Sequence, residues 1–196
     1  MGVIRMNLSD LYKGCRSYRR FLQDPVPREL LCQMLENARI SSSAHNAQSI
    51  RYVVVDSKEM VSAMQPLVTF ASSLPRELGT PKEGEQPTAF VVVSKTADAG
   101  SFCDMDIGLA VDAMVMTAWE SGIGSCLLGA INIPEIGRLL SVPEEETIRL
   151  VVAFGKPGHK STLVGPRENG GLKYYLDEAK NYYVPKRSFE EIVRFV

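Results

Sequence analysis

DMDIGLAVDAMVMTAWESGIGSCLLG, residues 104–129, decides the architecture. Ile107, Val111, Met114, Val115 and Ala118 recur at i, i+4, i+7, i+8 and i+11, the signature of one helical face turned to a core. Gly122 follows as the left-handed residue that ends such a helix, so a helix is predicted over Asp104–Glu120. Its other side is apolar as well, with Leu109, Ala110, Ala113 and Met116. A helix apolar nearly all round is buried on both sides, and in a single-layer domain the second side has to meet another chain. This helix is therefore expected to build a dimer. Ser125–Leu128 then reads as a short strand.

Outward from this centre, helices and strands alternate. Asn7 or Ser9 caps a short helix through Leu8, Leu11 and Tyr12, which stops before Cys15-Arg16-Ser17-Tyr18-Arg19-Arg20-Phe21. Pro27 opens a second helix whose Leu30, Leu31, Met34, Leu35 and Ala38 face inward while Glu29, Gln33 and Glu36 face water. A polar loop, Ser41–Ser49, leads into Tyr52–Val55, read as a buried strand. Asp56 or Ser57 caps a third helix carrying Met60, Met64 and Leu67. Ser72–Pro87 holds prolines and glycines without periodicity and reads as a surface loop. Ala89–Val93 and Ile148–Phe154 are further strands, Pro134–Leu140 a short helix. Ser188, with Glu191 three residues on, forms a capping box for a last helix over Phe189–Val196. The expected class is α+β: one central, mostly antiparallel sheet flanked by helices, in a single domain over residues 1–196.

Composition narrows the function. Twenty-two basic against 23 acidic residues give a net charge of −1, which argues against the strong basic field of sequence-independent nucleic-acid binding. Four separated cysteines without a C-x-x-C pair, and two histidines, offer no zinc pattern. No apolar run is long enough to span a bilayer, and Met1–Arg5 shows no export signal, so the expected location is the cytoplasm.

Three groups of residues carry chemistry. Arg16, Ser17, Arg19 and Arg20 set fork-shaped cations beside a hydroxyl just after a helix, which suits an anion; the plain alternative is a solvated basic turn. Ser43, Asn46 and Gln48 bring donors and acceptors to one loop and can read the edge of a heterocycle, or be ordinary turn residues. Gly122–Gly129 lacks G-x-G-x-x-G spacing and leads into a strand, which excludes a Rossmann dinucleotide site. Gly129 instead lets a planar ligand approach the backbone. Lys186 and Arg187 form a later basic pair.

In this order the segments resemble the FMN-dependent nitroreductase family. Arg16–Phe21 is similar to its R-S-x-R-x-F opening and Ser43–Gln48 to its S-x-x-N-x-Q motif. Asp106-Ile107-Gly108 and Gly122–Gly129 resemble its D-x-G and G-L-G-x-C-x-x-G segments, Ala153–Pro157 its A-x-G-x-P strand end, and Val184–Glu191 its closing basic motif. The resemblance implies an intertwined homodimer with FMN in clefts at the subunit interface. It implies that Arg16 and Ser17, with Lys186 and Arg187, hold the ribityl phosphate, and that Arg19 approaches the pyrimidine side of the flavin. Ser43, Asn46 and Gln48 would bond the pyrimidine edge or ribityl chain, and the backbone at Gly129 and Ala130 would face flavin N5. It further implies a ping-pong oxidoreductase that passes a hydride from NAD(P)H through the flavin to a nitroaromatic, quinone or similar planar acceptor, with no protein group needed as catalytic acid or base. A flavin-fragmenting or dehalogenating member of the same fold, a non-catalytic FMN-binding sensor and a cofactor-free structural dimer stand as alternatives. Cys15 stands where many members carry another arginine, and Ser49-Ile50 replaces the common Pro-Trp.

Overall fold

The computed structural model describes residues 7–196, so the reading of Met1–Arg5 falls outside the described residues. The chain forms two compact units, Met1–Gly158 and His159–Val196.

The first unit runs α1 (Leu8–Gly14), β1 (Phe21–Leu22), α2 (Arg28–Arg39), a 3-10 turn at Ala44–Asn46, β2 (Ile50–Val55), α3 (Lys58–Met64), a short α4 (Arg76–Gly79), β3 (Ala89–Lys95), α5 (Cys103–Glu120), β4 (Gly124–Leu128), α6 (Ile133–Leu140) and β5 (Thr147–Pro157). The caps read from the sequence are present: the Asn7 side chain accepts from the Asp10 N–H, and Ser57 accepts from Met60. The strand order is β4-β5-β3-β2, every ladder antiparallel, with β1 paired to the end of β5.

Side chains alternate across the central strands. Ala89, Val91, Val93, Val152 and Phe154 join Leu31, Met34 and the inner face of α5 in one apolar layer. Phe90, Val92, Val151 and Ala153 join Val61, Met64 and Ile136 in the other. Helices thus cover both faces, which is why β3 is an unbroken apolar run and not an alternating one.

Several expectations shift on detail. Tyr52–Val55 is half-buried except at Val55, because β2 is the sheet's edge and only β3 covers it. Ala110, placed by periodicity on the outer side of α5, is buried; it lies three residues after Ile107 and four before Met114, on the same stripe. The 72–87 segment contains the helical turn α4, whose Gly79 packs against Ala71.

The second unit contains β6 (Ser161–Val164), β7 (Tyr175–Leu176) and β8 (Tyr182–Pro185), with β6 parallel and β7 antiparallel to β8. Tyr182 is flanked by the rings of His159 and Tyr174. The final helix, α7, spans only Phe189–Ile192 although its capping box is complete. It buries no residue, and a cap without a packed face does not sustain further turns. No helix among the described residues is long and apolar enough to cross a membrane.

Candidate functional site

The basic segment is held by contacts of α1 with α5. Tyr12 donates its hydroxyl to Asp112 at 3.0 Å, the Cys15 thiol donates to the Val115 carbonyl at 3.7 Å, and the Tyr18 ring stacks on Trp119 at 5.2 Å between centroids. The Cys15 side chain therefore turns toward α5, where burial raises its thiol pKa. Beyond it, the Tyr18 N–H donates to Ser125, and Ser17 forms a single parallel bridge with Ser125, fastening the segment to β4. Arg16 donates one Nη2–H to the Tyr12 carbonyl at 2.9 Å, while its Nε is buried without a hydrogen-bond partner. Ser17 is exposed, Arg19 half-buried and Arg20 buried. Arg20 thus belongs to the interior, leaving Arg16, Ser17 and Arg19 as the accessible group.

The second constellation is strained. His45, Asn46 and Gln48 have φ of 54°, 52° and 51°, so three non-glycine residues in a four-residue stretch adopt left-handed backbone. Such conformations persist only where surrounding structure over-determines them, and they cluster at functional sites. The clamp is Asp106 on α5: 7% exposed, it accepts the Ala44 N–H at 2.9 Å. The Arg51 guanidinium donates to the Gln48 carbonyl at 3.0 Å, and the Gln48 amide donates to the Asn46 carbonyl at 3.4 Å. Asn46 and Gln48 are exposed, whereas the Ser43 hydroxyl is buried without a partner. Beside them opens a cleft of about 160 Å³ lined by Ser43, Gln48, Arg51, Tyr52, Asp106 and Ala110, among others. Burial pushes the Tyr52 phenol up to about 12, so it stays protonated there. His45 is exposed, as expected of a loop histidine.

Helix α5 separates the two constellations. Asp106 holds the loop and Val115 holds Cys15; nine residues of helix are about 13 Å of rise and two and a half turns. The two attachments therefore lie on opposite sides of α5. Gly129 and Ala130 follow β4 and are exposed, and a Cβ built on Gly129 would meet nothing within 4 Å. Gly129 stands four residues beyond Ser125, about 13 Å along the strand. In the second unit, Lys186 and Arg187 are exposed just after β8, with Arg187 3.7 Å from Glu191.

The sequence reading did not single out Asp106, Arg51 or Tyr52 as site residues. Asp106 had a signal: a carboxylate one position before the inner-facing Ile107 is out of place on a core-facing helix unless it bonds to something.

Residues 12–156 match the model of the nitroreductase family. The chain belongs to that family. Within it, the chain is 28% identical over 150 residues to an Archaeoglobus fulgidus protein that carries the provisional name NADH dehydrogenase/NAD(P)H nitroreductase, covering 72% of this chain and 80% of the relative. It is 24% identical over 166 residues to a Thermotoga neapolitana iodotyrosine deiodinase, covering 76% and 88%. Among solved structures, an FMN-dependent nitroreductase from Clostridium difficile superposes with a TM-score of 0.65 at 18% identity over 78% of this nitroreductase-family chain and 89% of the other, which shows the shared fold.

Proposed function

We propose that this nitroreductase-family protein is an FMN-dependent oxidoreductase that works as a homodimer and uses NAD(P)H to reduce a planar acceptor. The observation that carries the reading is that each constellation contains a buried polar atom with no partner among the described residues, Arg16 Nε and Ser43 Oγ. Leaving a buried donor unsatisfied is costly, so such atoms fit groups completed by a ligand. The donors match the parts of FMN: guanidiniums and a hydroxyl for a phosphate, and Asn and Gln for a ring edge with adjacent C=O and N–H groups.

Arg16 and Ser17 would hold the phosphate, and Arg19 would place its charge beside the pyrimidine. Ser43, Asn46 and Gln48 would orient the ring or ribityl chain. The open backbone at Gly129 and Ala130 would admit the ring face. When bound, FMN supplies the redox chemistry, accepting a hydride from a nicotinamide and passing electrons to an acceptor. The protein's residues bind, orient and set charge: a cation beside the pyrimidine favours the reduced, anionic ring.

The two sides of α5 support the dimer. One ligand cannot touch both constellations of a single protomer around the helix, but it can take Arg16 from one copy and the Asn46 loop from another. An apolar stripe is available for the contact: Phe102, just before α5, and Met105 and Leu109 on it, at i, i+3 and i+7, are 50%, 67% and 54% exposed. This is the outer side of the helix that the sequence assigns to a partner chain.

The test is the visible spectrum of the purified protein, identification of released cofactor, and NADH or NADPH oxidation with a quinone or nitrofuran. Bound FMN with turnover supports the proposal; a colourless protein that FMN does not reconstitute overturns it. A second reading is reductive dehalogenation of a single-ring halophenol. It is favoured by the iodotyrosine deiodinase relative and by a solved iodotyrosine deiodinase bound to FMN and 3-iodo-L-tyrosine, 21% identical with a TM-score of 0.64 over 77% of this chain and 90% of that one. Halide release from 3-iodotyrosine under reducing conditions decides between the two.

A further inference from the structure

We infer that Asp106 is the positioning residue of the flavin site: by holding the Ala44 N–H it keeps loop 43–48 in its left-handed turns, so that Ser43, Asn46 and Gln48 stand ready for the ligand. This rests on the FMN reading for the ligand, but not for the loop.

Ser43 is extended, with φ −132° and ψ 149°, and the chain then reverses through the turn Ala44–Asn46 with His45 and Asn46 left-handed. Turns of this kind suit glycine, and residues 43–48 include none. Within the turn, the Asn46 N–H donates to Ser43 and the Ala47 N–H to Ala44, while the Ala44 N–H donates outside the loop, to Asp106. Asp106 accepts it from the first turns of an 18-residue helix whose other buried faces are locked in the core. The loop is thereby referred to a helix packed into the core of the unit. The Gln48 amide ties the loop only to its own Asn46 carbonyl, and Arg51 holds the Gln48 carbonyl from β2, so Asp106 is the contact that holds the Ala44 end of the loop. A charge-assisted bond of this kind is roughly twice as strong as a neutral one.

Two substitutions break the contact from opposite ends. Asp106→Ala removes the acceptor. Ala44→Pro removes the donor, and the extended Ser43 before it is the conformation that a following proline demands. Asp106→Asn keeps an oxygen acceptor in place. Each variant is assayed for FMN affinity by flavin fluorescence, for thermal midpoint, and for hydrogen exchange at Ala44, Asn46 and Ala47.

The expected result is that Asp106→Ala and Ala44→Pro each weaken FMN binding at least tenfold, that the double variant is no worse than either alone, and that Asp106→Asn stays within about threefold of the parent. Exchange at Asn46 and Ala47 should rise in both disruptive variants, while protection along α5 is kept. FMN affinities within threefold of the parent for both overturn the inference, as does strict additivity of the two changes. Equal loss in Asp106→Asn and Asp106→Ala also overturns it, since charge and not the bond to Ala44 would then be responsible. If the parent protein binds no FMN, the functional reading fails, and the exchange data still decide whether Asp106 holds the loop. If Asp106→Ala does not fold, Ala44→Pro and Asp106→Asn carry the same decision.

Discussion

Gly14→Ala tests the seam on which the basic segment rests. Gly14 ends α1 directly under the indole of Trp119, and a Cβ there would lie 2.6 Å from Nε1, 2.7 Å from Cζ2 and 2.8 Å from Cε2. Real contacts of this kind fall at about 3.4 Å or more, so the ring must retreat by more than half an ångström. It cannot do so alone, because the Tyr18 ring stacks on it at an interplanar angle of 15° and the Tyr18 hydroxyl donates to the Gly14 carbonyl. Overpacking of a filled site costs about 1–3 kcal/mol. Losing the aromatic pair adds about 0.5–1.5 kcal/mol. The helix-propensity gain of alanine over glycine recovers at most about 1 kcal/mol, and less at a terminal position. The net is a destabilisation of about 1–4 kcal/mol, which in a chain of this size lowers the melting temperature by roughly 2–16 °C. Calorimetry measures it, and emission of the single tryptophan reports the displaced ring. Because Arg16 is braced on the Tyr12 carbonyl of the same helix, FMN affinity should fall in parallel. A melting temperature within one degree of the parent, with unshifted emission, would refute the packing argument.

Other outcomes follow from the same geometry. Arg16→Ala should weaken FMN binding by about ten- to a hundredfold, the worth of a hydrogen bond to a charged group; titration of the apoprotein checks it, and unchanged affinity removes Arg16 from the phosphate. Leu109→Glu puts a charge into the apolar stripe of α5 and should yield a monomer by analytical ultracentrifugation that no longer retains FMN; a monomer that keeps the cofactor contradicts a shared site. Burial raises the Cys126 thiol from its ordinary 9.0 to about 11, so the folded state holds that proton more tightly than the unfolded chain. Its stabilising contribution is therefore complete below pH 9 and lost as the pH rises through about 11. Denaturant midpoints across that window should fall less steeply in Cys126→Ala; superimposable profiles would show that the thiol does not contribute.

Much of this protein can be read without coordinates, because periodic burial is a local property. The inner face of α5, the β3 run Ala89–Val93, the caps at Asn7, Ser57 and Ser188 and the terminator Gly122 each need only a few neighbouring residues to declare themselves, and each is found. The candidate ligand residues were legible for a similar reason: cations beside a hydroxyl, or Asn and Gln on one loop, advertise their chemistry by type. What stayed hidden depends on position in space. Tyr52–Val55 has the composition of a buried strand and becomes a half-covered edge because only β3 pairs with it. Phe189–Val196 has a full capping box and makes one turn because nothing packs on it.

The sequence by itself determined the elements, the α+β class and which side chains could grip an anion or a ring edge, since spacing and residue chemistry act over a turn of helix or a pair of strand residues. Only the tertiary structure decided that Arg20 is interior, that Asp106 holds the Ala44 amide across 62 residues of sequence, and that the two groups of candidate ligand residues sit on opposite sides of α5. Those are consequences of how the helix packs on the sheet, a long-range compromise among many contacts that no single stretch of chain encodes.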